Sequence, residues 1–162
     1  MTLIKRTRLV LQGTDDELVI PDTKVGIAQA LHEWGMSNSP QECGWVITYD
    51  NGARVYLVAE VARGSVHHLP IHMPTLLSAV LTSGTDRFMF IHNHPSGELR
   101  PSTADLETTE QIAEAAALCG LYFDDHLILT REPKRLYSLA GKGDYIPPKY
   151  REVVAERYGG AA

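Results

Sequence analysis

The period of the hydrophobic positions changes several times along the chain, and each change marks an element. Thr7 to Leu11 is a short β-prone run. Pro21 to Trp34 carries Val25, Ile27, Ala28, Leu31 and Trp34 at near-helical spacing ahead of Gly35, so a strand followed by a helix is predicted. From Glu42 to Asp50 the period drops to two, with Cys43, Trp45, Ile47 and Tyr49 on one face and Glu42, Gly44, Val46 and Thr48 on the other. Asp50-Asn51-Gly52 supplies turn chemistry, because Asn-Gly adopts positive φ readily, and Arg54 to Ala62 then completes a β-hairpin. Gly64 to Pro70 reads as a loop holding His67 and His68. Pro74 to Leu81 reads as a helix with Leu76, Leu77, Val80 and Leu81 apolar, closed near Gly84. Arg87 to His92 is a short apolar run suited to a buried strand. Pro101 to Gly120 is the strongest helix: Leu106, Thr109, Ala113, Ala116 and Ala117 make one stripe, Glu107, Glu110, Gln111 and Glu114 lie off it, and Gly120 provides the stop. Tyr122 to Thr130 and Arg135 to Leu139 are predicted as the last two strands, joined by a turn at Arg131-Glu132-Pro133-Lys134. The tail from Gly141 to Ala162, with Pro147-Pro148 and a short amphipathic stretch around Tyr150 to Tyr158, reads as loosely packed or as an interface.

Composition narrows the class. A chain of 162 residues with 44% hydrophobic and 22% charged residues fits one globular domain. At this size folding buries roughly 70% of the surface exposed by the unfolded chain, so no metal or disulfide is needed as a staple, and a metal would be functional. A net charge of −5 argues against a protein that lives by gripping phosphate backbones. No apolar run approaches the length of a membrane span and the start lacks a signal-peptide pattern, which leads to a cytoplasmic expectation. Cys43 and Cys119, far apart and in no metal-like spacing, are expected to be reduced core residues.

The densest chemistry lies in the segment His92-Asn93-His94-Pro95-Ser96-Gly97-Glu98-Leu99-Arg100-Pro101-Ser102-Thr103-Ala104-Asp105. Where a strand runs out, side chains at i and i+2 leave the same face, so His92 and His94 can reach one metal ion while Asn93 points elsewhere. A third ligand is needed, and Asp105 stands in the first turn of the next helix, where the helix dipole favours a carboxylate. Three nitrogen and oxygen ligands with one open position form the catalytic rather than the closed structural pattern of zinc. Ser102 and Asp105 also match a capping box, and the two roles need not exclude each other, although one hydroxyl cannot point everywhere. A hydrolase further needs a group that takes a proton from the metal-bound water. Glu42 is the preferred candidate, because it faces away from Cys43 and Trp45 and would reach the metal if its strand neighbours the one ending at His92.

His92-x-His94, seven residues, Ser102, two residues and Asp105, with an acidic residue upstream, resembles the JAMM motif of the JAB/MPN metallohydrolases. More narrowly, IHNHPSGELRPSTADLETT, followed by DDHLIL and a final YSL, resembles the RadC-like JAB domain, from about Gln41 to Leu139. The resemblance implies a single α/β domain of the MPN/JAB, cytidine-deaminase-like kind, occupying residues 1–140. Its sheet would be curved, mixed and mostly antiparallel, flanked by helices. It further implies one zinc ion per chain on His92, His94 and Asp105, Glu42 as acid/base, and Ser102 as the hydrogen-bond donor to the developing oxyanion. The implied activity is that of a metallopeptidase, often an isopeptidase acting on ubiquitin-like conjugates, by attack of a zinc-activated water on an amide carbonyl. The family pattern also carries a histidine at His126, expected to be buried and hydrogen-bonded rather than a ligand. Longer RadC proteins carry an N-terminal helix-hairpin-helix-like region, and the expectation from the resemblance is that this chain has no room for it.

Two classes of function follow. The first is a zinc-dependent metallohydrolase whose partner is a peptide, protein or ubiquitin-like substrate, with no direct DNA or membrane contact and with a homodimer left open. The alternative is a non-catalytic interaction module in a DNA-repair setting, as the RadC name suggests. Two imidazoles and a carboxylate would accept several divalent ions besides zinc.

Overall fold

The computed structural model describes residues 19–21, 23–66 and 68–140. The strand expected at Thr7 to Leu11, the tail beyond Ala140 and His67 lie outside the described residues. The element order is α1 (Lys24–Glu33), β1 (Cys43–Tyr49), β2 (Val55–Arg63), α2 (Met73–Thr82), β3 (Arg87–Asn93), α3 (Thr103–Cys119), β4 (Tyr122–Leu129) and β5 (Leu136–Ser138).

The strands form one five-stranded mixed sheet in the order β2-β1-β3-β4-β5. β1 pairs antiparallel with both β2 and β3, β4 and β5 are antiparallel, and β3 and β4 are parallel. The parallel pair follows from the chain's path, since α3 lies between β3 and β4 and carries the crossover a parallel connection requires. The α/β class and the predominantly antiparallel sheet flanked by helices agree with expectation.

Alternation along β1 divides the interior into two layers. Cys43, Trp45, Ile47 and Tyr49 pack with Met89, Ile91, Leu127 and Leu129 and with Leu31 of α1 on one face. Val46 packs with Phe88, Phe90, Leu76 and Val80 of α2, and Ile112 and Ala116 of α3 on the other. Every residue of β1 is buried, as a central strand covered on both faces must be.

Local chemistry sets the ends of the helices. The Thr23 side chain accepts from the Gly26 amide at 3.1 Å to open α1, and Gly35 at φ 82° follows its end. Gly120 closes α3 in the left-handed conformation at φ 71°.

Several expectations are corrected. In the β1–β2 turn Asp50 Oδ1 accepts from the Gly52 and Arg54 amides, and positive φ falls on Ala53 (61°) instead of the Asn-Gly pair. Val25 and Leu81, counted into apolar stripes, are 54% and 57% exposed, whereas Ile112, left out of one, is fully buried. Cys43 is a buried free thiol, but Cys119 is exposed at the end of α3 and is not a core residue. Among the described residues no helix is long and apolar enough to cross a membrane.

One irregularity matters for the site. Between β3 and β4 the register shifts after Phe88, which pairs with Phe123, while Met89 pairs with Asp125 and Phe90 with His126. Asp124 is therefore an extra residue, a β-bulge. It accepts bonds from the Arg87 guanidinium at 2.8 and 3.0 Å and from the Tyr49 hydroxyl at 2.6 Å. The bulge lets Phe123 and His126, an odd number of residues apart, share the face of the sheet that carries α2 and α3.

Candidate metal centre

The C-terminal end of β3 carries the centre. Phe90 and His92 project towards α3, and Asn93 projects to the opposite face. The His94 amide continues the pairing by donating to the Leu129 carbonyl at 2.8 Å, which keeps the chain extended and returns His94 to the face of His92. After Pro95 and Ser96 the chain turns at Gly97 (φ 85°), and the Glu98 carbonyl comes back to accept from His94 Nδ1 at 2.7 Å. A carbonyl only accepts, so the His94 proton is on Nδ1 and Nε2 keeps its lone pair.

α3 brings the third group. Ser102 is its N-cap, and a full capping box forms: Ser102 Oγ accepts from the Asp105 amide at 3.2 Å, and Asp105 Oδ2 accepts from the Ser102 amide at 2.7 Å. That box turns the Asp105 carboxylate back towards β3. Oδ1 lies 3.1 Å from His92 Nε2, Oδ2 lies 3.4 Å from His94 Nε2, and the two Nε2 atoms are 2.8 Å apart. One ligand atom from each of the three residues lies within 4.8 Å of the others.

This donor set fits a divalent ion. Bond lengths near 2.0–2.1 Å around tetrahedral zinc place ligand atoms about 3.3 Å apart, close to the separations here. Two imidazoles and a carboxylate, without thiolate, match the ligands of catalytic zinc.

Electrostatics follow from burial and proximity. Burial pushes the His92 imidazole below its usual range, against the pull of Asp105. Burial acts the same way on His94, but the Asp105 carboxylate, the Glu98 carbonyl and the charge of Glu42 together raise it. Burial alone would raise the Asp105 carboxyl, yet the closeness of the His92 and His94 rings and the bonds donated by Ser102 hold it well below the usual carboxylate range.

Behind His92 lies His126, 1% exposed, whose Nε2 is 2.7 Å from His92 Nδ1 and whose Nδ1 is 2.6 Å from Thr109 Oγ1. His126 is thus buried and hydrogen-bonded as expected, and it is not one of the three converging groups.

A family model described as the RadC-like JAB domain matches residues 23–144. The chain belongs to that family. The match begins at the N-cap of α1, earlier than the motifs alone indicate. A UPF0758 protein of Rhodobacter capsulatus is 35% identical over 104 residues, 62% of this chain and 49% of that one. A UPF0758 protein of Acaryochloris marina is 32% identical over 129 residues, 80% of this chain and 53% of its own length. A third, from Methanospirillum hungatei, is 31% identical over 96 residues, 59% of this chain and 43% of the relative. The chain spans about half the length of the curated relatives it matches.

In this RadC-like JAB domain Glu42 immediately precedes β1, and β1 does adjoin β3, with Gly44 paired to His92. Glu42 stands two residues ahead of Gly44, and its negative charge contributes to raising the His94 imidazole. The loop after β2 holds its backbone: the Glu42 amide donates to the Ser65 carbonyl and its carbonyl accepts from the Gly64 amide, both at 2.8 Å. The Ser102 hydroxyl donates to Asp105 Oδ2 at 2.7 Å, so here it serves the helix start.

Two residues that sequence reasoning passed over hold the centre together. Asn93, 0% exposed, accepts from the Cys43 amide at 2.8 Å and donates to the carbonyls of Gln41 and Ser39 at 3.0 and 3.3 Å. It ties the segment bearing Glu42 to the strand bearing the histidines. Thr109 was counted into the apolar stripe of α3, although a hydroxyl in such a stripe is itself a signal of a buried polar contact.

Proposed function

We propose that this chain is a zinc-dependent metallohydrolase that cleaves a peptide or isopeptide bond. The observation that carries this reading is the convergence of His92, His94 and Asp105 beside the strand that Glu42 immediately precedes. Zinc, when bound there, supplies a Lewis acid and a water made acidic near neutral pH.

The chain's own groups divide the remaining work. Glu42, whose charge acts on His94, accepts the proton of the attacking water and delivers it to the leaving amine. Ser102 donates its hydroxyl to the developing oxyanion. To do so it releases Asp105 Oδ2, which keeps the bond from the Ser102 amide at 2.7 Å, so the swing leaves that oxygen partnered. The substrate class, peptides and proteins joined to ubiquitin-like tails, comes from the family resemblance.

Elemental analysis of protein purified without chelator should find close to one zinc per chain. Glu42→Ala should abolish hydrolysis of peptide or isopeptide conjugates while zinc stays bound, whereas His94→Ala and Asp105→Ala should lose the metal as well. Activity equal to the parent in Glu42→Ala sinks the mechanism. A chain that takes up no zinc even when it is added back shifts the assignment to an interaction module.

A further inference from the structure

Three hydrogen bonds run in series from the main chain of α3 to the metal centre, and one fixed polarity at their start sets the rest. Thr109 Oγ1 lies 2.6 Å from the Asp105 carbonyl one turn earlier and 2.6 Å from His126 Nδ1. A carbonyl cannot donate, so the hydroxyl proton goes to it, leaving only lone pairs on Oγ1 for His126. His126 Nδ1 must then carry a proton. The ring is 1% exposed and packs against Phe90 with centroids 4.9 Å apart, surroundings that keep it neutral with a single proton. Its Nε2 is therefore an acceptor, and the partner 2.7 Å away, His92 Nδ1, is the donor. That places the proton of His92 on Nδ1 and leaves the Nε2 lone pair facing His94 and Asp105.

We propose that Thr109 and His126 are positioning residues that fix the tautomer in which His92 can bind a metal, with the Asp105 main-chain carbonyl as the origin of the polarity. Asp105 then contributes twice: its side chain is a ligand, and its carbonyl orders the protons of a second ligand. His94 needs no such chain, because the Glu98 carbonyl fixes it directly at 2.7 Å. In the reverse order Thr109 would donate to His126, the Asp105 carbonyl would lose that bond, and the His92 proton would sit on Nε2 where the metal must go.

The inference rests on the metal reading of the site, and two measurements separate their failures. The first is imidazole nitrogen–proton correlation spectroscopy on the full unmutated chain at about pH 8, metal-free and with added zinc, well above the ordinary histidine range. His126 and His92 should both show the proton on Nδ1, and His92 should bind zinc through Nε2. A proton on Nε2 of His126 overturns the proposal. The second is zinc affinity by chelator competition. Thr109→Val should weaken binding about 10- to 100-fold and Thr109→Ser should restore most of it, since the hydroxyl rather than the shape is at issue. Equal affinity in folded Thr109→Val and Thr109→Ser also overturns it. If the parent binds no zinc, the metal reading fails, and the metal-free spectrum still decides the proton order.

Discussion

Replacing Asn93 by alanine separates what holds the metal from what holds Glu42. The side chain lies on the face opposite His92 and His94 and makes three bonds to the segment that leads into β1. Their loss is unequal. The Gln41 carbonyl belongs to an exposed residue and can turn to water, but the Cys43 amide belongs to a residue that is 0% exposed and would be left without its acceptor. An orphaned buried donor costs about 1–3 kcal/mol, and the small void left by the amide adds to it, so ~2 kcal/mol is expected. For a domain of this size that corresponds to a melting point lower by roughly 4–8 °C, read by thermal unfolding of the chelator-treated protein so that metal binding does not enter. Zinc affinity should stay within about threefold of the parent, below the loss typical of residues that contact a metal ligand. Turnover should fall, because Glu42 loses its tether. A variant melting within about 1 °C of the parent refutes the energetic argument, and loss of zinc in step with turnover refutes the division between the two faces.

Two other substitutions probe the scaffold. Ile112→Ala empties a fully buried position between α3 and the sheet and should cost about 2–5 kcal/mol in urea unfolding, whereas Leu118→Ala, at a position 82% exposed on the same helix, should stay within about 0.5 kcal/mol. Ala53→Gly relieves a left-handed residue at φ 61°; with about 1–2 kcal/mol of strain removed and up to about 1 kcal/mol of chain entropy lost, the urea midpoint should rise modestly, and a fall would contradict the turn geometry.

What the sequence made legible is what depends on neighbours along the chain. Alternation placed His92 and His94 on one face and Asn93 on the other, and capping chemistry placed Asp105 in the first turn of α3. Relations across the sheet were less accessible. That the charge of Glu42 acts on His94 depends on β1 lying between β2 and β3 with Gly44 opposite His92, a strand order no local pattern encodes. Strict alternation from Phe123 puts His126 on the wrong face, and only the extra residue at Asp124 corrects it. Thr109 and Asn93 went unnoticed because their value lies in directional bonds to partners distant in sequence. Asn-Gly advertised a turn conformation that Ala53 adopts instead, because Asp50 fastens both Gly52 and Arg54.

The capping box at the head of α3 bears on how such a domain can decay. Asp105 serves the helix start, and under the proposed function the same carboxylate would hold the metal, so a change at this position would damage folding together with chemistry. The Glu42 main chain is held by the Ser65 carbonyl and the Gly64 amide, bonds that do not depend on which side chain it carries. Under the proposed function, loss of catalysis would remove the need for the Glu42 carboxylate, while the start of α3 would still call for Ser102 and Asp105. A retained Ser102-Asp105 pair is accordingly a record of architecture as much as of chemistry, and the residue ahead of β1 is the more telling mark of a working site.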